Sequence, residues 1–237
     1  YGTLQVTAAR TLGSSDANDM VFTATQAPNP TKTAANLVVG ALTNAGRGDV
    51  LLQAEGAIST VGNSLILADT LSVQASLVGL AAPGQEWLVN LATKVNALNL
   101  NTDGAGNVQI LQDKAAANPA AARSLFASTV LVSNGDLKID AAGSVELGDV
   151  VLAANSSNNA LTVLAGSDIV VRYASAGLYL ASVADAPKKD LNNDGDYSDT
   201  VTVNGVATPE TLVSASSAGN ISLTAGGSIT ESGADTG

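Results

Sequence analysis

Along most of the chain apolar residues fall at every second position, as Ile221, Leu223 and Ala225 do within GNISLTAGGSI, residues 219–229. A period of two is the mark of a strand whose alternate side chains face one side. The stretch has two relatives, GDLKIDAAGSV at 135–145 and GDVLLQAEGAI at 48–58, and all three fit G-[DN]-apolar-x-[LI]-x-A-x-G-[AS]-[IV]. We read the motif as one coil of a solenoid: a Gly-Asn or Gly-Asp turn, a strand, a small-residue corner and one further inward aliphatic. The corner glycine is expected to supply backbone angles that a residue with a Cβ reaches only at a cost.

Such a unit cannot stand alone. Five or six buried aliphatic side chains at ~1.5–3 kcal/mol each fall short of the ~1–2 kcal/mol per residue lost in fixing a coil's backbone. Stacking supplies the rest, because each strand then hydrogen-bonds to the coils on either side and its apolar positions join continuous ladders. The fold class this predicts is all-β, a right-handed parallel β-helix (solenoid) with irregular loop insertions, occupying residues 1–237 as a single segment.

The alternation is not uniform. YGTLQVTAARTL makes a first strand, and residues 13–35, rich in Ser, Asp, Asn and Pro, read as an extra-coil loop around the short strand pattern MVFTAT. From Asn36 the strands are dense. The pattern breaks again over 76–90, which holds the only Trp, Trp87. It breaks a third time over 113–127, where the Ala-rich DKAAANPAAARSLFA is expected to add a short outer helix with Pro119 in its first turn. Residues 129–184 are the most regular part. The last insertion, 185–212, contains two Lys, an acidic cluster and one expected strand, TVTVNGV.

Composition narrows the chemistry. Neither Cys nor His is present, which excludes disulfides, thiol chemistry, imidazole acid–base catalysis and the usual zinc sites. Aromatics are 3% of the chain while 46% is hydrophobic, so aliphatic ladders must fill the core. A formal charge of −11 argues against nucleic acid and anionic membranes as partners. No apolar run is long enough to insert into a membrane as a helix. With no signal-peptide pattern at Tyr1, the sequence is expected to be a piece of a longer chain.

The acidity suits a cation. In DLNNDGDYSD, residues 190–199, side-chain oxygens fall at Asp190, Asn192, Asp194, Asp196 and Ser198, followed by Asp199. Gly195 at the sixth position lets the loop fold back, so that hard oxygen ligands converge as Ca²⁺ requires. The opening matches D-x-[DN]-x-D-G of an EF-hand-type loop, but Val201 stands where the closing Glu belongs, leaving Asp199 as the nearest replacement. A structural Ca²⁺ is the expectation; the bland alternative is a solvated Asn/Asp turn. Asp49, Asp136, Asp149 and Asp168 read as turn formers at coil corners, and Asn63, Asn107, Asn159 and Asn220 as candidates for amide ladders between coils.

Enzymes built on such coils need clustered carboxylates with Arg or Lys on the outer face. Here there are ten basic residues in all, and outward strand positions are mainly Thr, Ser, Gln and Ala. An enzyme is therefore not expected, and no catalytic residue is assigned. A carbohydrate-active β-helix, with Trp87, Tyr173 and Tyr179 lining a groove, stays open as the alternative, as does a self-assembling extracellular fibre or surface-layer subunit.

The three coil motifs quoted above resemble the repeats of filamentous haemagglutinin-like adhesins, large bacterial exoproteins of two-partner secretion. The resemblance covers about two-thirds of the chain; the segments at 76–90, 113–127 and 185–212 depart from it. It implies a right-handed β-helix in a rigid surface stalk, roughly 50 Å long for ten or so coils at ~4.8 Å. It also implies an extracellular or cell-surface location, an outer-membrane transporter as the export partner, extracellular polysaccharide or cell-surface ligands, and end-to-end or lateral self-association.

Overall fold

The computed structural model of the chain describes residues 3–10, 19–25, 35–43, 48–62, 64–76, 87–114, 121–153, 159–176, 200–203, 206–209 and 219–232. One sheet holds β1 (Thr3–Arg10), β3 (Asn36–Thr43), β5 (Ile58–Thr60), β6 (Ile66–Leu67), β8 (Trp87–Lys94), β10 (Asn107–Gln112), β12 (Leu137–Ala141), β14 (Ala160–Ala165) and β19 (Asn220–Ala225). The other holds β2 (Met20–Ala24), β4 (Val50–Ala54), β7 (Thr70–Ala75), β9 (Ala97–Ala105), β11 (Leu125–Asn134), β13 (Val145–Leu152), β15 (Ile169–Val171), β16 (Ala174–Ala176) and β20 (Ile229–Glu231). Both are parallel throughout, and the chain changes sheet after nearly every strand, so that each layer contributes a strand to both. Among the described residues there is no α-helix.

Register explains why these sequences settle here. Leu4, Leu37, Ile58, Val89, Val108, Leu137, Leu161 and Ile221 stand in one column of the first sheet. Leu37, Val89, Val108, Leu137 and Leu161 are 0% exposed, whereas Leu4 in the outermost layer is 39% exposed. A column residue is thus sealed by neighbours above and below, and loses that cover at the end of the stack. Inward residues of both sheets meet in a single core. Each main path is eight strands long, or about 34 Å at ~4.8 Å per step.

The repeat differs from its expected role in two ways. First, GDLKIDAAGSV runs from β12 across a corner into β13, and GNISLTAGGSI likewise from β19 into β20, but GDVLLQAEGAI runs from β4 in the second sheet to β5 in the first. The motif is therefore one strand, one corner and the start of the next strand, usable in either direction; it is half a layer, not a whole coil. Full layers are longer: hydrogen bonds between equivalent positions join residues 21, 24 and 29 apart. Second, a lack of space governs the glycines more than backbone angle does. A Cβ on Gly219 would lie 2.0 Å from the Asn159 carbonyl oxygen, and one on Gly226 2.3 Å from that of Gly166. At Gly135 and Gly106 both apply: φ is 149° and 150°, and a Cβ would lie 2.3 Å from the Gly106 oxygen in the first and 2.7 Å from Leu88 Cβ in the second.

The interruptions are also redrawn. Within 13–35, Met20–Ala24 is a strand, as the pattern MVFTAT predicts, and it belongs to the second sheet. Within 76–90, Trp87 to Asn90 belong to β8; Leu88 and Val89 are both buried because a register shift at Asn107/Val108 adds a residue there, which disrupts the period of two. In place of an outer helix reaching Ala127, Leu125 and Ala127 are fully inward strand residues, 1% and 0% exposed; residues 115–120 lie outside the described residues. The small Ala127 fits the column between Leu98 and Leu147, so packing overrides its weak strand preference. The single strand expected at TVTVNGV is a hairpin, β17 (Thr200–Val203) antiparallel to β18 (Val206–Pro209), forming its own small sheet.

Candidate functional site

The six expected cation ligands, Asp190, Asn192, Asp194, Asp196, Ser198 and Asp199, lie outside the described residues, immediately before β17. The described residues on either side of 177–218 meet directly, the Gly219 N–H donating to the Ala176 carbonyl at 3.2 Å. Among the described residues no three Asp or Glu side chains gather closely enough to hold a metal ion.

The corner carboxylates bridge layers. Residues just before a strand turn a side-chain oxygen toward the next layer and accept a backbone N–H from the equivalent position there. The Asp49 N–H donates to Asp19 Oδ1 at 2.9 Å, and Asp49 Oδ1 in turn accepts the Thr70 N–H at 3.0 Å. On the other sheet the Asp136 N–H donates to Asn107 Oδ1 at 3.0 Å, and Asp136 Oδ1 accepts the Ala160 N–H at 2.8 Å. Asp168 closes the series by accepting from Ser228. These hydrogen bonds hold the Asp168 carboxyl below its usual value, the Ser228 backbone N–H contributing most, its hydroxyl next, while slight desolvation opposes them. Asp and Asn are therefore interchangeable here as acceptors, which is why the motif reads G-[DN]. Asp149 does not belong to this set: it lies within β13, opposite Thr129 of β11. Asn107 stacks on Asp136 rather than on another amide, and Asn63 lies outside the described residues.

A buried polar knot marks one corner. Gln112 is 0% exposed in the column that elsewhere carries Ala141, Ala165 and Ala225. Its Nε2 donates to the Val95 carbonyl at 2.7 Å, and its Oε1 accepts the Thr93 hydroxyl at 2.8 Å. Next to it Asp113 pairs with Lys94 at 3.0 Å and accepts the Arg123 N–H at 2.9 Å, while Arg123 Nη1 reaches the Ala68 carbonyl at 2.9 Å. The residues after β10 are thus tied across three layers. Every partner found there is structural.

The outer face of the second sheet is different. Thr23, Gln53, Gln74 and Asn101 stand in one outward row across β2, β4, β7 and β9. The row is internally bonded: the Thr23 hydroxyl donates to Gln53 Oε1 at 3.2 Å, and Gln53 Nε2 to Gln74 Oε1 at 2.7 Å. Two shallow grooves of about 340 and 300 Å³ share Gln74 and Asn101, so they run together along the face. Amides, hydroxyls and the carboxylates of Glu55 and Asp103 line them, with no Lys or Arg. Reading the sequence for strands misses this row, although LLQA at 51–54 and SVQA at 72–75 repeat its Gln beside an inward Ala.

The aromatic residues do not line one groove. Trp87 opens β8 in the first sheet, whereas Tyr173 is only 5% exposed, packed with Leu131, Val151 and Ala153 against the second, and Tyr179 lies outside the described residues. Arg172 sits over the Phe126 ring, 5.3 Å from its centre, and pairs with Glu146. No protein-family model, curated protein or solved structure matches this chain.

Proposed function

We propose that the chain is a segment of a right-handed parallel β-helix serving as a structural and adhesive stalk of a bacterial surface or secreted adhesin. The observation that carries this reading is the unbroken aliphatic column from Leu4 to Ile221, with parallel partners passing from layer to layer. A stack of that kind lengthens by adding layers and resists bending, which is what holding a contact surface away from a cell requires. Extracellular placement, export through an outer-membrane transporter and end-to-end association of copies belong to the same reading. The loop at 190–199 is assigned a structural Ca²⁺ that neutralises its carboxylates so that the insertion folds against the stack. Display of the chain on a non-adherent bacterium, with attachment to cells and matrix measured, tests the adhesive half; small-angle scattering tests the rod. Unchanged attachment would overturn the first, and a scattering profile that departs from that of a stack of parallel layers about 34 Å along its axis would overturn the second.

A further inference from the structure

The structure carries a second feature that a stalk does not need, the amide row on the outer face of the second sheet. We infer that this face is a binding trough for an extended, uncharged, hydroxyl-rich polysaccharide, with Gln53, Gln74 and Asn101 as its principal contacts; this deepens the adhesive reading and rests on it only in naming the ligand of that adhesion. Three observations lead there.

Spacing is the first. The row advances one strand per residue, ~4.8 Å, close to the advance of one sugar along an extended β-linked glycan. Successive amides therefore meet successive sugars, and every second amide meets the same face, because neighbouring residues of such a chain are turned by half a turn. With the row's internal bonds made, Gln53 still has one N–H and Gln74 two to donate, and each amide oxygen has a second lone pair, which suits a sugar's vicinal hydroxyls. Preorganisation is the second. The Thr23–Gln53–Gln74 hydrogen bonds fix the amide planes before any ligand arrives, so little side-chain freedom is lost on binding. Charge is the third. Glu55 and Asp103 line the trough without a basic residue, and the chain carries −11, so anionic glycans and nucleic acid are repelled. An extended peptide binds most readily by adding to an exposed strand edge, whereas β4, β7 and β9, which carry Gln53, Gln74 and Asn101, have both edges paired, and only β2, which carries Thr23, ends the sheet.

The test uses the whole chain. Neutral β-linked hexasaccharides of glucose, mannose and N-acetylglucosamine, each at millimolar concentration, are titrated while backbone amide NMR shifts are followed, with oligogalacturonate and a proline-rich peptide as controls. The expected result is saturable binding of at least one neutral hexasaccharide, with shifts confined to β4, β7, β9 and their turns. Affinity should fall about tenfold in Gln74→Ala/Asn101→Ala, the loss of two hydrogen-bonding groups, and stay unchanged in Gln109→Ala on the other sheet. Circular dichroism establishes that each variant is folded; if the double variant is not, Asn101→Arg, which fills the trough from one side, replaces it. No binding by any neutral glycan, shifts centred elsewhere, equal affinity in the trough variants, or preference for the acidic oligosaccharide or the peptide would each overturn the inference. Because scattering and circular dichroism report the rod independently, failure here leaves the stalk reading standing.

Discussion

The Ser228 backbone N–H donates to Asp168 Oδ1 at 2.7 Å across 60 residues of sequence, joining the last described layer to the one before it. The Ser228 hydroxyl adds a second bond to the same oxygen at 2.9 Å. Both favour the carboxylate, which is why the Asp168 carboxyl lies below its ordinary value. A group whose folded pKa is depressed contributes stability that is present above its unfolded value, about 3.9, and that is lost as pH falls through the folded one. Asp168→Asn keeps an acceptor oxygen but cannot titrate. Melting temperature measured from pH 6 to pH 2 should therefore fall more steeply at the acid end for the native chain than for Asp168→Asn. Parallel curves would show that the contact has no part in acid stability.

Gln112 occupies an inward position where an aliphatic or alanine residue would be expected, and its amide is bonded at both its oxygen and its nitrogen. Replacing it with Leu leaves the Val95 carbonyl without its side-chain donor in a dry corner. Each orphaned buried group costs about 1–3 kcal/mol. Gln112→Leu should lower stability by about 2–4 kcal/mol in urea unfolding. Thr93→Val should cost less in a chain already carrying Gln112→Leu than alone, because its hydroxyl has by then lost its acceptor; additive effects would mean the two side chains are not coupled.

How far the sequence reveals this fold depends on which residues hold it together. Columns such as Leu137, Leu161 and Ile221 are legible because the requirement is local: a strand needs an aliphatic at every second position. The direction of a motif is not legible, since GDVLLQAEGAI and GDLKIDAAGSV satisfy the same spacing while running between the sheets in opposite senses. Ala127 and Leu88 escape a local reading for one reason: their strand state is imposed by residues one layer away, Leu98 and Leu147 for the first and the shifted pairing with β10 for the second. The candidate trough is hidden similarly. Gln53 and Gln74 look like ordinary outward residues until the 21-residue register sets their amides side by side.

Layers at the end of a stack have one neighbour instead of two, and the burial of their columns shows it. Ile139 is 0% exposed, whereas Leu223, in the same column, is only partly buried. Ile139→Ala should cost about 2–5 kcal/mol, and Leu223→Ala distinctly less. Native-state hydrogen exchange should run in the same order, with amides of β19 and β20 opening well before those of β12 and β13. Uniform protection across all layers would indicate a stack that opens only as a whole.

Ala176 and Gly219, which flank residues 177–218, are joined by a backbone hydrogen bond. Replacing residues 177–218 with a two-glycine link should preserve the strand signature in circular dichroism, because the two anchoring residues are already within hydrogen-bonding distance. The same variant tests the cation proposed for the loop at 190–199. A ligand that binds only the folded chain raises its stability by RT ln(1 + [L]/Kd), about 2.7 kcal/mol at a hundredfold excess over Kd. Millimolar Ca²⁺ should thus raise the melting temperature of the full chain, and a chelator should reverse it. Asp194→Ala should abolish that response without altering the chelated baseline, since in chelator the loop is empty in both. The shortened chain should show no response at all. A calcium shift that survives in the shortened chain would place the ion elsewhere, and no shift in the full chain would return residues 190–199 to a solvated turn.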